Sequence, residues 1–463
     1  MPKDEYIEDT KNVAGRLERL PITRYVLLIV SIAAVGNFFD IFNLDSLGAV
    51  LPVINSQFAL SGFYSSQLVA SLFYGMFVGS LIIGFLVDRA GRRPLFNATL
   101  IILAVGVLIT GLAQNYAELW MGRFLSGIGV GGDFAAVWAY FNELVPGTSR
   151  GRYYAIALGI GIISIPAVTF YAAYLVALFP INGWRYLFIT SAIVAIMVLP
   201  MRLVAPESPR YYLIKGNVDK ADDQMRRIEK SVEKRYGKAL PEPEKKGSRL
   251  IKYSSAAAFA LLFKKGQAYK TAMLTFIWIF QTWAFYGFTA FLVLILYEEG
   301  FGIVHAIVFS GIGFIGGILG PFLMAGIGDK RLQRRYGLII FAISTAVLDI
   351  IFGFSKSVVL IVVLAFFINM FQQAFASNLH SYTPETFPAA ARGLGGGFVD
   401  GIGRLLFAVG SVVIASTLAG KPTYQFLFIG ISWLLVAVFA FAIKTNTNMK
   451  TLEEVTEEPL VTA

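Results

Sequence analysis

Cysteine is absent from this 463-residue chain, and histidine occurs only at His305 and His380. Disulfides and thiolate metal sites are therefore excluded, and no zinc-type ligand cluster can be assembled. Charge is scarce as well. Only 15% of residues are Asp, Glu, Lys or Arg against 56% apolar, and the mean hydropathy of +0.67 is far from that of a soluble globular domain. No phosphate-binding loop is found and no nucleophile has a base nearby, so neither an enzyme nor ATP as energy source is expected, and no cofactor or metal is implied. The one Gly-x-Gly run, Gly127 to Gly132, lacks a preceding strand and lies in apolar helix, where small residues serve close helix packing.

What the chain has instead is long apolar runs. They are long enough, as helices, to cross about 30 Å of hydrocarbon, and they do not alternate as outer-membrane strands do. Twelve spans are predicted near 25–51, 62–87, 95–112, 117–144, 152–178, 184–204, 272–297, 303–327, 336–354, 358–383, 393–418 and 424–443. The expected domains are an N-terminal cytoplasmic tail (1–24), a six-helix bundle (25–205), a charged linker with amphipathic helices (206–269), a second six-helix bundle (270–444) and a cytoplasmic tail (445–463). Residues 1–24 lack the charged, apolar and cleavable regions of a signal peptide and are expected to be a soluble tail.

The two bundles read as copies. Glu143-x-x-Pro146-x-x-x-Arg150-Gly151 recurs as Glu385-x-x-Pro388-x-x-x-Arg392-Gly393, and the basic cluster after Asp88 (Arg89, Arg92, Arg93) is echoed after Asp329 (Lys330, Arg331, Arg334, Arg335). A duplicated apolar bundle is the build of a secondary transporter, with its site between the halves. The predicted class is thus an all-α integral membrane protein of 12 transmembrane helices in two pseudo-symmetric six-helix halves. Of the 39 Lys and Arg, 34 fall on the side of both tails and the linker, where Arg202 is counted; Arg185, Lys356 and Lys421 face the other side, and Arg123 and Arg404 lie in spans. That asymmetry places both termini in the cytoplasm. Topology and anionic lipid account for the net charge of +10 without a nucleic-acid partner.

Gly84-Phe-Leu-Val-Asp88-Arg89-Ala-Gly91-Arg92-Arg93 resembles the signature loop of the major facilitator superfamily, and Asp329 to Arg335 resembles a degraded copy with one extra residue and no Gly. Pro206-Glu207-Ser208-Pro209-Arg210 and Arg123-x-x-x-Gly127-x-Gly129-x-Gly131 are similar to motifs of the sugar porters and their organic-ion relatives. The resemblance implies a proton held by Phe39-Asp40 and tuned by the helix-four Arg123. An arginine beside a carboxylate favours its ionised form and an arginine that withdraws lets it take a proton, although a static pair locking two helices is the alternative. Asn43 and Asp45 belong to a first helix that looks more like the aromatic-acid/proton symporters, as does Gly401-Ile-Gly403-Arg404, where the resemblance implies that Arg404 meets a substrate carboxylate. Asp400, four residues before Arg404, offers the alternative of a structural ion pair.

Other expected substrate contacts are the polar and aromatic residues of helix seven (Gln281, Trp283, Tyr286) and helix ten (Asn369, Gln372, Gln373). His380 is expected to be structural. A gate is expected from Arg92 and Arg93 reaching Glu143, and from Arg334 and Arg335 reaching Glu385, with Asp88, Arg150, Asp329 and Arg392 in the same loops. The expected activity is proton-coupled symport of a small organic solute, an organic or aromatic acid ahead of a sugar, by a lipid-embedded monomer in the plasma membrane. A facilitative sugar uniporter and a non-transporting sensor on the same fold are the alternatives.

Overall fold

The computed structural model describes residues 5–8, 11–203, 205–238, 240–243, 249–252, 259–331, 333–388 and 391–443. The side chains of Asp88, Arg92, Arg150 and Asp329 lie outside the described ones. A short tail (β1, Glu5–Glu8; α1, Val13–Glu18) precedes six long helices: α2 (Arg24–Phe58), α3 (Gly62–Ala90), α4 (Arg92–Leu112), α5 (Tyr116–Leu144), α6 (Gly147–Leu178) and α7 (Gly183–Leu203). The linker carries α8 (Pro209–Ile214), α9 (Val218–Tyr236) and β2 (Arg249–Lys252). Six more long helices follow: α10 (Gln267–Glu298), α11 (Ile303–Arg331), α12 (Arg334–Phe354), α13 (Val358–Glu385), α14 (Arg392–Val412, ending in the π-turn Val413–Thr417) and α15 (Pro422–Ala442).

Among the described residues, 11 of these helices are long and apolar enough to cross a membrane. The twelfth long helix, α5, carries Glu118, Arg123, Asp133 and Glu143 and is packed between α3 and α4. Its glycines explain how closely. A Cβ added at Gly127 would lie 2.0 Å from the Leu72 carbonyl oxygen, and one at Gly75 of α3 would lie 2.0 Å from that of Phe124. The glycine run therefore brings two backbones into contact, as small residues do in membrane bundles.

The halves touch most extensively through α2 on α10, α3 on α14 and α6 on α11. Contact is tight on the side remote from the linker. There a Cβ at Gly62 would sit 1.8 Å from the Ala415 carbonyl oxygen, one at Gly48 would sit 2.9 Å from that of Ala290, and Gly311 packs on the Phe170 ring. On the linker side, among the described residues, a Cβ at Gly159, Gly393, Gly396 or Gly397 would meet nothing within 4 Å. The halves are thus sealed on the far side and parted on the linker side, leaving a vestibule between them.

The N-terminal tail docks on the linker and the first half. Val13, Leu17 and Leu20 pack with Ala221, Met225, Ile228 and Val232, the apolar stripe of α9, against Ile29, Phe96 and Tyr140 of the first half. Strand β1 pairs antiparallel with β2, Glu5 opposite Lys252 and Glu8 opposite Arg249. Arg16 bridges Asp222 (2.6 Å) and Glu229 of α9, and Arg19 also binds Glu229. The Arg16 hydrogen bond holds the Asp222 carboxyl below the usual carboxylate range. For Glu229, burial pushes the carboxyl up, but the bonds from Arg16 and Arg19 outweigh it and the net shift is also downward. Depressed carboxyls stabilise the docked tail above their ordinary pKa of about 4, and that contribution is lost as pH falls through the lower folded values.

Two outcomes follow from this arrangement. Glu229→Gln should speed hydrogen exchange in residues 13–18, and acidification below about pH 4 should do the same in the unaltered chain; unchanged protection in both would refute the clamp. Because the chain has no cysteine, a single cysteine at Gly397 should react readily with a soluble maleimide while one at Ala415 stays protected. Gly62→Leu, which wedges the far-side seal, should reverse that order.

Candidate functional site

Buried charge concentrates in the first half. Asp40, Asp45, Asp133, Arg123 and Arg202 have exposures of 2%, 8%, 1%, 1% and 0%. An isolated charge at such depth is costly enough that each must find a partner, and two groups result.

In the inner group Asp133 of α5 lies in the fork of Arg202 from α7. Arg202 Nη1 donates to Asp133 Oδ1 and Nη2 to Oδ2, both at 2.7 Å. Thr99 Oγ1 of α4 adds a 2.7 Å bond to Oδ1. Arg202 Nη1 also donates to the Phe96 carbonyl (2.8 Å), and the guanidinium lies 3.9 Å from the Phe96 ring centroid. Asp40 of α2 meets the Asp133 carboxyl side chain to side chain. Gly36, one turn earlier, makes room: a Cβ there would lie 2.7 Å from Arg202 Nη2.

In the outer group Arg123 donates from Nη1 to the Asn43 carbonyl (3.0 Å) and interacts with Asp45. The expected Asp40–Arg123 pair is therefore replaced by two pairings. The reason is helical geometry: Asp45 lies five residues beyond Asp40, about 7.5 Å further out and about 140° around the helix. Arg202, counted with the linker from sequence, is buried inside the first bundle. An unpaired in-span Asp133 was the signal for it, since a base at the same depth was needed and α7 ends in one.

Across the vestibule Arg404 of α14 is held by Asp400, with Nε 2.8 and 2.9 Å from the two carboxylate oxygens. Its Nη1 lies 3.6 Å from Met76 Sδ of α3 and the guanidinium lies over the Phe134 ring of α5, so it sits where the halves meet. Tyr286 of α10 hydrogen-bonds Arg404, interacts with Asp45, and packs on Phe73 and Phe407. Tyr286, Arg404 and Asp45 thus come together from three helices.

The other expected solute contacts scatter. Trp283 donates Nε1 to the Leu406 carbonyl (2.8 Å) and stacks on Phe428, so it packs within the second half. Asn43 and Asn369 donate to Phe39 and Ala365 of their own helices, both at 2.8 Å. Gln281 accepts a long 3.5 Å bond from Thr282, Gln373 lies against Gly317 of α11, and Gln372 is buried with neither amide atom paired. Asn378 donates to the Arg334 carbonyl (2.7 Å). His380 is exposed on the linker side, with Nδ1 2.8 Å from the Ala376 carbonyl and its ring on Trp278.

At the linker-side loops Arg334 bridges Glu385 at 3.2 Å. Arg335 instead donates to the Phe441 carbonyl (2.6 Å), and Arg392 to that of Pro384 (3.1 Å). Arg93 turns from the expected Glu143 toward Leu203 and Glu207: its guanidinium donates to the Leu203 carbonyl and its backbone N–H to the Glu207 carboxylate. Glu207 thereby places an anion at the start of α4, where unpaired N–H groups favour one. The side chains of Asp88, Arg92, Arg150 and Asp329 fall outside the described residues.

The model of the sugar (and other) transporter family matches residues 28–458. The chain belongs to that family. It is a transporter of the major facilitator superfamily, sugar-porter branch, and a multi-pass membrane protein rather than an enzyme. It is 31% identical over 443 residues to the metabolite transport protein YyaJ of Bacillus subtilis, covering 95% of this chain and 96% of that one. To the niacin transporter NiaP of Acinetobacter baylyi it is 24% identical over 449 residues, covering 96% and 99%. The xylose transporter XylE from E. coli, solved in a partially occluded inward-open conformation, superposes with a TM-score of 0.73 at 17% identity, covering 93% of this transporter and 100% of that chain.

The inner group makes a stability prediction for the transporter. Arg202→Leu leaves buried carboxyls without their guanidinium and should cost about 3–5 kcal/mol. Adding Asp133→Leu should recover most of that in thermal unfolding; no recovery would show that the two residues do not act as a pair.

Proposed function

We propose that this transporter is a proton-coupled symporter of a small organic anion in the cytoplasmic membrane, with the linker side facing the cytoplasm. Arg404 carries the reading. It stands at the junction of the two halves, on the vestibule, with Tyr286 beside it and, among the described residues, only Asp400 as its ionic partner. A guanidinium there can take a carboxylate bidentately while Tyr286, Phe73 and Phe407 offer an aromatic wall. Niacin, which the Acinetobacter relative is named for, is an aromatic carboxylate of that kind.

Alternating access would proceed by rocking one bundle against the other. The sealed far side and parted linker side correspond to the inward-facing member of that cycle. Closing the linker side brings the Arg334–Glu385 bridge and its counterpart loop toward each other. In the absence of a nucleotide site, uphill movement would draw on an ion gradient, and Asp40 is the carboxyl assigned to the proton.

A neutral sugar is the second reading, favoured by the Gln372 amide, which is buried with both ends unpaired and would gain from a hydroxyl. If Asp40 never releases its proton at working pH, that reading becomes uniport. Proteoliposomes loaded in turn with labelled nicotinate, benzoate and hexoses, with and without an inward proton gradient, separate these cases. Carboxylate uptake should follow the gradient and fall on the order of 30-fold in Arg404→Gln, the loss expected when a partner to a buried charge is removed. Asp40→Asn should abolish accumulation against a gradient while leaving exchange. Hexose uptake indifferent to Arg404→Gln would overturn the anion assignment.

A further inference from the structure

The charges buried in the first half do not balance. Among the described residues, Asp40, Asp45 and Asp133 face only Arg123 and Arg202 at these depths. Asp45 interacts with Arg123, and both Asp133 oxygens are held by Arg202, one of them also by Thr99. Asp40 is left with the Asp133 carboxyl as its neighbour, and Asp40 Oδ1 has no hydrogen-bond partner. Two bare carboxylates in contact, sharing one guanidinium and shut off from water, repel strongly. One proton between them both cancels the surplus charge and makes the contact a hydrogen bond.

We propose that Asp40 and Asp133 bind one proton between them, with Arg202 and Thr99 fixing Asp133 as the acceptor. The proton resides on Asp40 and points at Asp133. Of the helices that touch α2, α5 brings Asp133 and α7 brings Arg202 to this point; among the described residues the others bring no ionisable side chain to Asp40. Loss of the proton to water leaves a second carboxylate beside the first, and α2 is then pushed from α5. Helix α2 also forms the far-side seal through Gly48 on Ala290 of α10, so occupancy of this site bears on that seal. Arg202 and Asp133 are positioning residues here, not solute contacts.

The consequence for transport rests on the proton-coupled reading, but the site itself needs no solute and can be tested without one. The purified full chain is studied by infrared difference spectroscopy between acid and alkaline pH, in water and in heavy water, following the carbonyl stretch of protonated carboxyls. A background carrying both Asp45→Asn and Asp349→Asn is used, because these are further carboxyls buried in the spans, Asp349 with both oxygens unpaired. At neutral pH one carboxyl's worth of signal should be present and should vanish in Asp40→Asn. It should also vanish in Asp133→Asn, where the freed Arg202 pairs with Asp40 and keeps it ionised. Arg202→Gln should double the signal, since both carboxyls then hold protons. Thr99→Val, the mildest change, should shift the band without removing it, which keeps the test open where a charge variant does not fold.

A neutral-pH signal unchanged by Asp133→Asn, or no such signal in the background chain, overturns the site. The full spectroscopic pattern together with uptake indifferent to the proton gradient upholds the site and sinks only the coupling.

Discussion

A lipid bilayer offers neither water to a charge nor a hydrogen bond to the backbone, and the arrangement of this transporter follows from that constraint. In the first half each arginine carried into the spans is answered by a carboxylate at the same depth. Helix α5 is the clearest case. It carries both Arg123 and Asp133 into the membrane, and they are tolerated because α2 supplies Asp45 and the Asn43 carbonyl on one level while α7 supplies Arg202 on another. The glycines of α5 press it onto α3 and α4.

The same constraint separates the two halves in character. The first holds its charges in interhelical groups deep in the bundle, where a shift of α2 changes which groups touch. The second holds Asp400 and Arg404 on one helix face, at the junction, where Arg404 can exchange its neighbours as the vestibule opens and shuts. Under the proposed symport, a proton-binding bundle facing a solute-binding helix would be a physical basis for coupling, since each event would bias the same rocking equilibrium. Backbone contacts such as Gly62 on Ala415 make the far-side seal an all-or-none contact that cannot slide gradually.

The linker contributes more than length. Its helix α9 lies under the first half with an apolar stripe turned inward, and its acids face arginines from the tail. Single partly exposed ion pairs stabilise by about 0–1 kcal/mol, but here three converge on α1 over an apolar contact. The tail and linker thereby ride with the first bundle.

Much of this was legible in the residues. Hydropathy and the paired Glu-x-x-Pro-x-x-x-Arg-Gly loops fix twelve helices in two copies, because the length of an apolar run and an internal repeat are local properties of the chain. The glycine run of α5 was read correctly as packing for the same reason. Pairing across helices was not legible: assigning Asp40 to Arg123 needed the rotation of α2 about its axis and its depth against α5, and an error of one and a half turns exchanges Asp40 for Asp45. Nor did sequence show that Trp283 gives its N–H to a carbonyl, that Arg202 leaves the linker for the core, or that α1 docks on α9. Composition and periodicity determined that charges must be buried and matched; which carboxyl meets which arginine was decided only by tertiary packing, because side-chain contact depends on helix rotation and depth that no local pattern encodes.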